Sequence, residues 1–296
     1  MADNIASVYA VQYGTNIGLL LQQRGSRFRK AVQTGSYSGK QAEVVTQYGK
    51  TEARAVTGRY DQITHVNTPN DRRWVYPADY DWSDIIGSFD KLRVLADPMS
   101  AYTQNGLFAM GRKIDDVIIA GMLGDNKTGE AGGTTESFDT TNNRVAVDFG
   151  AAGNVGMTVD KLRKGRRLLM AQEVDLDMEN PWVGISAYQH DDLLGQIQVV
   201  SADFNGGQRP VLQDGQVTRF LGCNFIVSER LLTATYRRCP MWVQSGMHLG
   251  LWNDVTSDVS QRKDMGGLPW QIYIMMTLGA TRTEQDRVLD ILCYEA

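Results

Sequence analysis

The sequence predicts an α+β fold in which one long helix is set between strand-rich stretches. Three observations carry this. Residues 97–124, DPMSAYTQNGLFAMGRKIDDVIIAGMLG, repeat apolar side chains at a spacing of three and four. Stretches on both sides, within 36–90 and 241–296, alternate apolar and polar residues with period two. Strands and helices do not alternate regularly, so the pattern is not that of a parallel α/β sheet. No fixed-period repeat is visible.

The helix is the most legible element. Asp97 can cap its N-terminus, and Pro98 suits the first helical position, where a missing N–H costs nothing. Leu107, Met110, Ile114, Val117 and Gly121 form the apolar stripe, with Ile118 and Met122 alongside. Arg112, Lys113, Asp115 and Asp116 are expected to face elsewhere. Gly124 is placed to end the helix in a left-handed turn. At about 1.5 Å per residue the rod is about 40 Å long. Gly106, Gly111 and Gly121 each weaken it by about 1 kcal/mol. Such a helix must be held by packing along its length, and its glycines would allow that packing to be close.

Residues 1–35 read as an arm that cannot form a domain alone, with Leu19-Leu20-Leu21 followed by the basic run Arg24, Arg27, Arg29 and Lys30. Residues 36–90 read as an extended two-stranded excursion. Ala42–Tyr48 and Ala53–Tyr60 alternate, Asp71–Pro77 is a further strand, and Tyr80, Trp82 and Phe89 follow. Such a hairpin is marginal alone in water and should rest on a partner.

Beyond the helix, residues 125–143 are rich in Gly, Thr and Asn and read as a surface loop or flap. Arg144–Phe149 can be a short strand. Thr158 is the candidate N-cap of a helix reaching Gln172. Trp182–Ser186 is a buried strand, Ala187–Leu194 a short helix, and the polar stretch to Gly207 a loop. Strands follow at Phe225–Val227, Trp242–Trp252, Gln271–Thr277 and Val288–Cys293, the last two joined by a Gly279–Arg282 link.

Charge is divided along the chain. The net charge is −4. Residues 1–73 carry ten Lys or Arg against five Asp or Glu, and the remainder twenty against twenty-nine. A basic N-terminal arm commonly means nucleic acid. Here it is read as meeting acidic surfaces of neighbouring copies, because no aromatic-rich basic patch for stacking bases accompanies it. No apolar run reaches the roughly 18 to 20 residues that span a bilayer, and the N-terminus lacks the pattern of a secretory signal. The three cysteines, Cys223, Cys239 and Cys293, are widely spaced and read as buried free thiols of a chain that folds in a reducing environment.

Catalytic and metal-binding patterns are missing. His65, His190 and His248 are scattered and share no ligand spacing. Tyr188-Gln-His190-Asp191-Asp192 reads as a solvated helix start. Gly153-Asn-Val-Gly156 precedes a helix, weakly suggesting an anion nest, with a flexible connector as the simpler reading. No phosphate-binding loop, dinucleotide fingerprint or nucleophile elbow occurs, and Asp115-Asp116 lie side by side on a helix, not across a cleft. Neither an enzyme nor a cofactor is indicated.

The order of arm, hairpin, long helix, mixed α/β stretch and returning strands resembles the major capsid proteins of tailed double-stranded-DNA bacteriophages with the Hong Kong 97-type fold. The closing stretch LPWQIYIMMTLGATRTEQDRVLDILCYEA is similar to that family's last strands. The resemblance implies an N-terminal arm (1–35), an extended E-loop (36–90), a peripheral domain (91–157) with a spine helix at 97–124, an axial domain (158–240) and a peripheral return (241–296).

It further implies hexamers and pentamers of an icosahedral shell around phage DNA, located in the virion and assembled in the bacterial host cytoplasm. Portal, scaffolding or decoration proteins would be partners; no membrane would be. Arg24, Arg27, Arg29, Lys30, Lys50, Arg54, Arg59, Arg72, Arg73 and Trp74 are the candidate subunit-interface residues. Some relatives crosslink an E-loop lysine to an asparagine with glutamate help. Lys50 and Asn253 are the matching types, but no glutamate accompanies Asn253, so no crosslink is expected. Some relatives also carry a cleaved N-terminal scaffolding segment, for which 35 residues leave no room. Scaffolding would then be a separate protein or already removed, and Met1-Ala2 speaks against processing. An encapsulin-like compartment shell of the same fold is the alternative, and an enzyme with a dispersed site a more remote one.

Overall fold

The computed structural model describes residues 22–56, 58–60, 62–63, 65–87, 99–196 and 215–295. In chain order the elements begin with β1 (Gln33–Ser36), β2 (Ala42–Tyr48), β3 (Asn70–Val75), β4 (Ala78–Ile86) and α1 (Met99–Leu123). Next come β5 (Asn126–Thr128), β6 (Thr134–Glu136), β7 (Arg144–Val145), α2 (Val159–Ala171), β8 (Trp182–Ile185) and α3 (Ala187–Leu194). The chain closes with β9 (Arg219–Phe220), β10 (Cys223–Val227), β11 (Arg237–Trp242), β12 (Met247–Gln261), β13 (Trp270–Arg282) and β14 (Val288–Cys293). Three sheets result, ordered β1-β12-β13-β4, β7-β14-β11-β8-β10-β9 and β2-β3-β5-β6.

The described residues fall into two compact units: those within 22–25, 79–112 and 253–276 in one, and those within 26–78, 113–252 and 277–295 in the other. In the first, a Cβ on Gly106 would come within 2.5 Å of Ile274 Cδ1 and the Trp82 ring, so glycine is what lets the helix lie that close. Arg112 donates to Gln22 Oε1 at 2.6 Å, and Gln22 donates to Asn105 Oδ1 at 3.0 Å.

The second unit is built on the six-stranded sheet. β11 runs antiparallel to β14 over the whole of both strands, from Arg237 opposite Cys293 to Trp242 opposite Val288. β8 pairs with β10 in parallel. Val183, Ile185, Met241, Leu289 and Ile291 are fully buried, each side chain contributing about 1.5–3 kcal/mol. Thr158 caps α2 by accepting from the Lys161 amide at 3.3 Å, and Leu162 and Leu169 face the core. Phe28 stacks on Trp242 with ring centroids 5.7 Å apart, and the Trp242 indole donates to the Ala31 carbonyl at 2.8 Å.

Several expectations change. Residues 26–35 of the arm do not await a neighbour: Phe28, Ala31 and Val32 are core residues of the chain itself, and β1 pairs in parallel with β12. Ala53–Tyr60 forms no strand among its described residues. Its alternation has no sheet face to serve, and the partner of β2 is β3. The 125–143 stretch is no free flap, because β5 pairs with β3 and β6 with β5. The 242–252 strand is broken at Gln244–Gly246 by a 3-10 turn. Residues 279–282 belong to β13 itself. There a Cβ on Gly279 would press into the Tyr76 carbonyl, so the glycine serves strand packing, not a link. The expected boundary at 240/241 lies inside β11.

The helix itself is closely foreseen, but not the way it ends at Gly124 or its polar face. Asp97 and Pro98 lie outside the described residues, as do Phe89 and the loop from 197 to Gly207. Gly124 does not adopt a left-handed conformation; its amide continues the helical pattern to Ala120 O at 2.8 Å. Leu107, assigned to the apolar stripe, is exposed, whereas Asp115, assigned to the polar face, is fully buried. Gly121 packs as expected, with a Cβ there reaching 3.0 Å from the Ala280 backbone.

Candidate functional site

The candidate assembly residues sit on the β2-β3-β5-β6 sheet, the loop at its end, and the arm. β2 and β3 are antiparallel from Ala42 opposite Val75 to Tyr48 opposite Asn70, with a register shift between Glu43 and Val45. Period two puts Arg72 and Arg73 on opposite faces. Arg72 is exposed and lies 3.6 Å from Glu43. Arg73 is only 7% exposed: it pairs with Glu136, and its Nε donates to Gln47 Oε1 at 3.1 Å. Trp74 donates its indole N–H to the Gly129 carbonyl at 2.7 Å. Arg73 and Trp74 therefore bind the 126–136 hairpin of their own chain, and Arg73, a candidate interface residue, is buried.

The loop between β2 and β3 is a different environment. Gly49 N donates to Pro69 O at 2.7 Å and closes its base. Outward of that point large apolar side chains lie open: Val56 is 74% exposed, Tyr60 92%, Ile63 80% and Val66 60%. Cations lie among them. Arg54 donates to the Gln62 carbonyl at 2.9 Å, and Arg59 is exposed. Lys50 pairs with Glu173; their hydrogen bond and mutual attraction raise the lysine pKa and lower the glutamate's. Both groups are exposed, so the pair is a weak tether.

In the arm, Arg24, Arg27 and Lys30 are exposed and Arg29 half-buried. Arg27 donates to the Val227 carbonyl, and the Lys30 ammonium lies 5.9 Å from the Trp182 ring centre. The arm is fastened by a residue the sequence did not single out for this. Asp115 accepts from Ser26 Oγ at 2.5 Å and from the amides of Arg27 and Phe28 at 3.1 Å.

Three further buried polar groups went unread. Lys161 is fully buried and donates to the carbonyls of Val155, Gly156 and Leu292 at 2.7, 2.9 and 2.8 Å. The 153–156 segment thus turns carbonyls toward a cation, the opposite of an anion nest. Asp290 is fully buried and receives Arg144 at 3.0 Å and Arg238 at 2.8 Å. Arg282 sits at the end of α1, and burial pushes its pKa down to about 10. The Tyr188–Asp192 run is only partly solvated. Asp192 accepts from the Met157 amide at 3.0 Å and its pKa is raised by burial, while His190 Nε2 accepts from the Val217 amide at 3.0 Å.

The three cysteines are buried and free, and burial lifts the Cys223 thiol to about 11. Among the described residues no group of three His, Cys, Asp or Glu could hold a metal. No helix among them is long and apolar enough to cross a membrane.

What this arrangement offers is an exposed apolar and basic surface of the kind a protein buries against a neighbour. The phage capsid protein family model matches residues 5–295, and the chain belongs to that family. Its role is structural, in a phage head. Solved capsids match along the whole chain. The capsid of cyanophage Pam1 is 14% identical, with 99% of each chain covered and a TM-score of 0.76. That of cyanophage P-SCSP1u is 13% identical, covering 100% of this chain and 96% of the other, with a TM-score of 0.72. The acid-stable capsid of the Helicobacter pylori bacteriophage KHP30 is 12% identical over 99% and 98%, also with a TM-score of 0.72. The fold is the Hong Kong 97 type that the order of elements implied, and these matches do not favour the encapsulin-like alternative. No curated protein matches the chain in sequence.

Proposed function

We propose that the chain is the non-enzymatic major head protein of a tailed phage. It forms hexamers and pentamers that enclose double-stranded DNA in a virion assembled in the host cytoplasm. Residues 36–90 act as the E-loop and α1 as the spine. One observation carries the subunit-contact part of this reading: Val56, Tyr60, Ile63 and Val66 are exposed together on one thin loop. A free monomer gains nothing by exposing such a group, whereas a neighbouring copy can bury it. Arg54, Arg59 and Arg72 stand beside it and would set the register of that contact. Arg24, Arg27, Arg29 and Lys30 would extend the contact surface along the arm, and portal and scaffolding proteins would meet the assembled rings.

Cryo-electron microscopy of the expressed full chain tests this. Shells or capsomers are expected, with the 49–69 loop of one copy lying on the next. A chain that stays monomeric at all concentrations and salts would overturn it.

A further inference from the structure

The densest run of cations in the chain is residues 161–167, KLRKGRR, with five in seven positions. It lies on α2, in the part of the chain that carries an excess of acids. Two of the five are used internally. Lys161 is buried on its three carbonyls, and Arg166 donates to the Leu221 carbonyl. The other three, Arg163, Lys164 and Arg167, are spaced one, three and four residues apart and share one side of the helix. With Phe149, Gly150 and Asp160 they line a cleft of about 470 Å³.

One carboxylate faces the three cations. Asp160 lies 3.3 Å from Arg163, and both are well exposed. Lys164 holds its ammonium 5.8 Å from the Phe149 ring centre. Arg167 is exposed and makes no ion pair among the described residues. Arg163 and Arg167 are four apart, a spacing at which like charges repel. The cleft is therefore a preformed excess of positive charge that its own chain does not neutralise.

We propose that this cleft binds the phosphodiester backbone of double-stranded DNA, so that α2 presents the DNA-facing cations of the subunit. The proposal rests on the reading of the chain as a shell around DNA. Phosphate contacts are made chiefly by arginine and lysine and need no base recognition. The competing occupant is an acidic strand of a second copy, such as β4, where Asp79 and Asp81 are exposed. The lining favours DNA. Contacts between folded proteins centre on aromatic and apolar side chains and are depleted of lysine, though arginine is favoured there. Here three of six lining residues are cations, and the one aromatic ring is already covered by Lys164.

The test uses the unassembled full chain and a mixed-sequence DNA duplex, with affinity measured over a range of salt. Each phosphate contact adds about 0.9 to the slope of log affinity against log salt. The double variant Arg163→Gln/Arg167→Gln should lower that slope by about 2. Lys127→Gln/Lys263→Gln, which removes two exposed cations elsewhere, should leave it unchanged. An unchanged slope in the first variant overturns the proposal, as does a wild-type chain that does not bind the duplex. A first variant that keeps its slope but no longer forms shells identifies the cleft as a contact between copies, and also overturns it. Shell formation by the wild type is scored separately by electron microscopy. Its failure would fault the capsid reading without altering the slopes.

Discussion

The Arg282 guanidinium donates to the Met122 carbonyl across 2.8 Å, closing the C-terminus of α1 from the end of β13. The same Nη1 reaches Gly124 O at 2.6 Å and Gly121 O at 3.4 Å, and the Nε donates to Gln285 Oε1 at 2.9 Å. The last carbonyls of a helix lack partners within it and carry partial negative charge. Here a buried cation answers both needs, in place of the glycine turn expected at Gly124. The Phe138 ring lies 5.3 Å from the guanidinium carbon, completing the enclosure. Arg282→Met should leave these carbonyls unsatisfied and lower unfolding stability by about 3–5 kcal/mol. Arg282→Lys should recover only part of this, because an ammonium cannot span the same fork. Denaturant unfolding of the two variants measures the difference; equal stability of Arg282→Met and wild type would refute the capping role.

Arg72 and Arg73 should respond oppositely to charge reversal. Arg72→Glu removes an exposed pair with Glu43 and should change monomer stability by less than about 1 kcal/mol. Its effect should appear in particle yield, through the subunit contact proposed above. Arg73→Glu instead buries a carboxylate beside Glu136 and should cost about 3–5 kcal/mol. Thermal unfolding of the unassembled chains, set beside particle counts, separates the two. A stable Arg73→Glu monomer would contradict the internal role of Arg73.

The contrast between these neighbours marks where sequence reading stops. Alternation identified β2 (Ala42–Tyr48) and β14 (Val288–Cys293) to the residue, and capping identified the start of α2 at Thr158. Those signals are local. Alternation at Ala53–Tyr60 was equally clear, yet a strand exists only if another strand accepts its hydrogen bonds. The buried charges failed for a related reason. Asp115, Lys161, Arg282 and Asp290 look like surface residues to any hydropathy pattern. Each is inside because its partners converge on it, and Arg282 meets Met122 across 160 positions. Residue type alone suggested where exposed assembly cations could be; it could not show that Arg73 was already spoken for.

Asp115 should control the arm. One carboxylate holds Ser26 and the amides of Arg27 and Phe28, and so sets the turn that delivers Phe28 to Trp242. Asp115→Ala leaves two amides without their acceptor, at a cost of about 1–3 kcal/mol each where they stay buried. Asp115→Asn keeps one acceptor oxygen and should cost less. The sensitive measurement is limited proteolysis with trypsin, which should cleave at Arg27 and Arg29 faster in Asp115→Ala than in wild type. Identical cleavage rates would show that the Phe28 and Trp242 packing holds the arm unaided.

His248 should make the chain less stable in mild acid. The Tyr37 hydroxyl lies 2.9 Å from His248 Nε2, where a neutral imidazole can accept the phenol proton and an imidazolium cannot. Burial lowers the His248 pKa from 6.5, and no ion pair with it occurs among the described residues. The unfolded chain therefore takes up the proton first as pH falls. The stabilisation is fully present above the unfolded value of 6.5 and is lost as pH falls from there through the lowered folded value. The slope this group adds cannot exceed about 1.4 kcal/mol per pH unit. Asp192, whose pKa is raised by burial from 3.8, acts in the opposite sense, so the comparison must isolate the histidine. His248→Gln does so: it stays neutral and still offers Tyr37 an acceptor. Between about pH 7 and about pH 5 the wild type should lose stability relative to His248→Gln. Unfolding curves that remain parallel over that range would remove His248 as the acid-sensitive group.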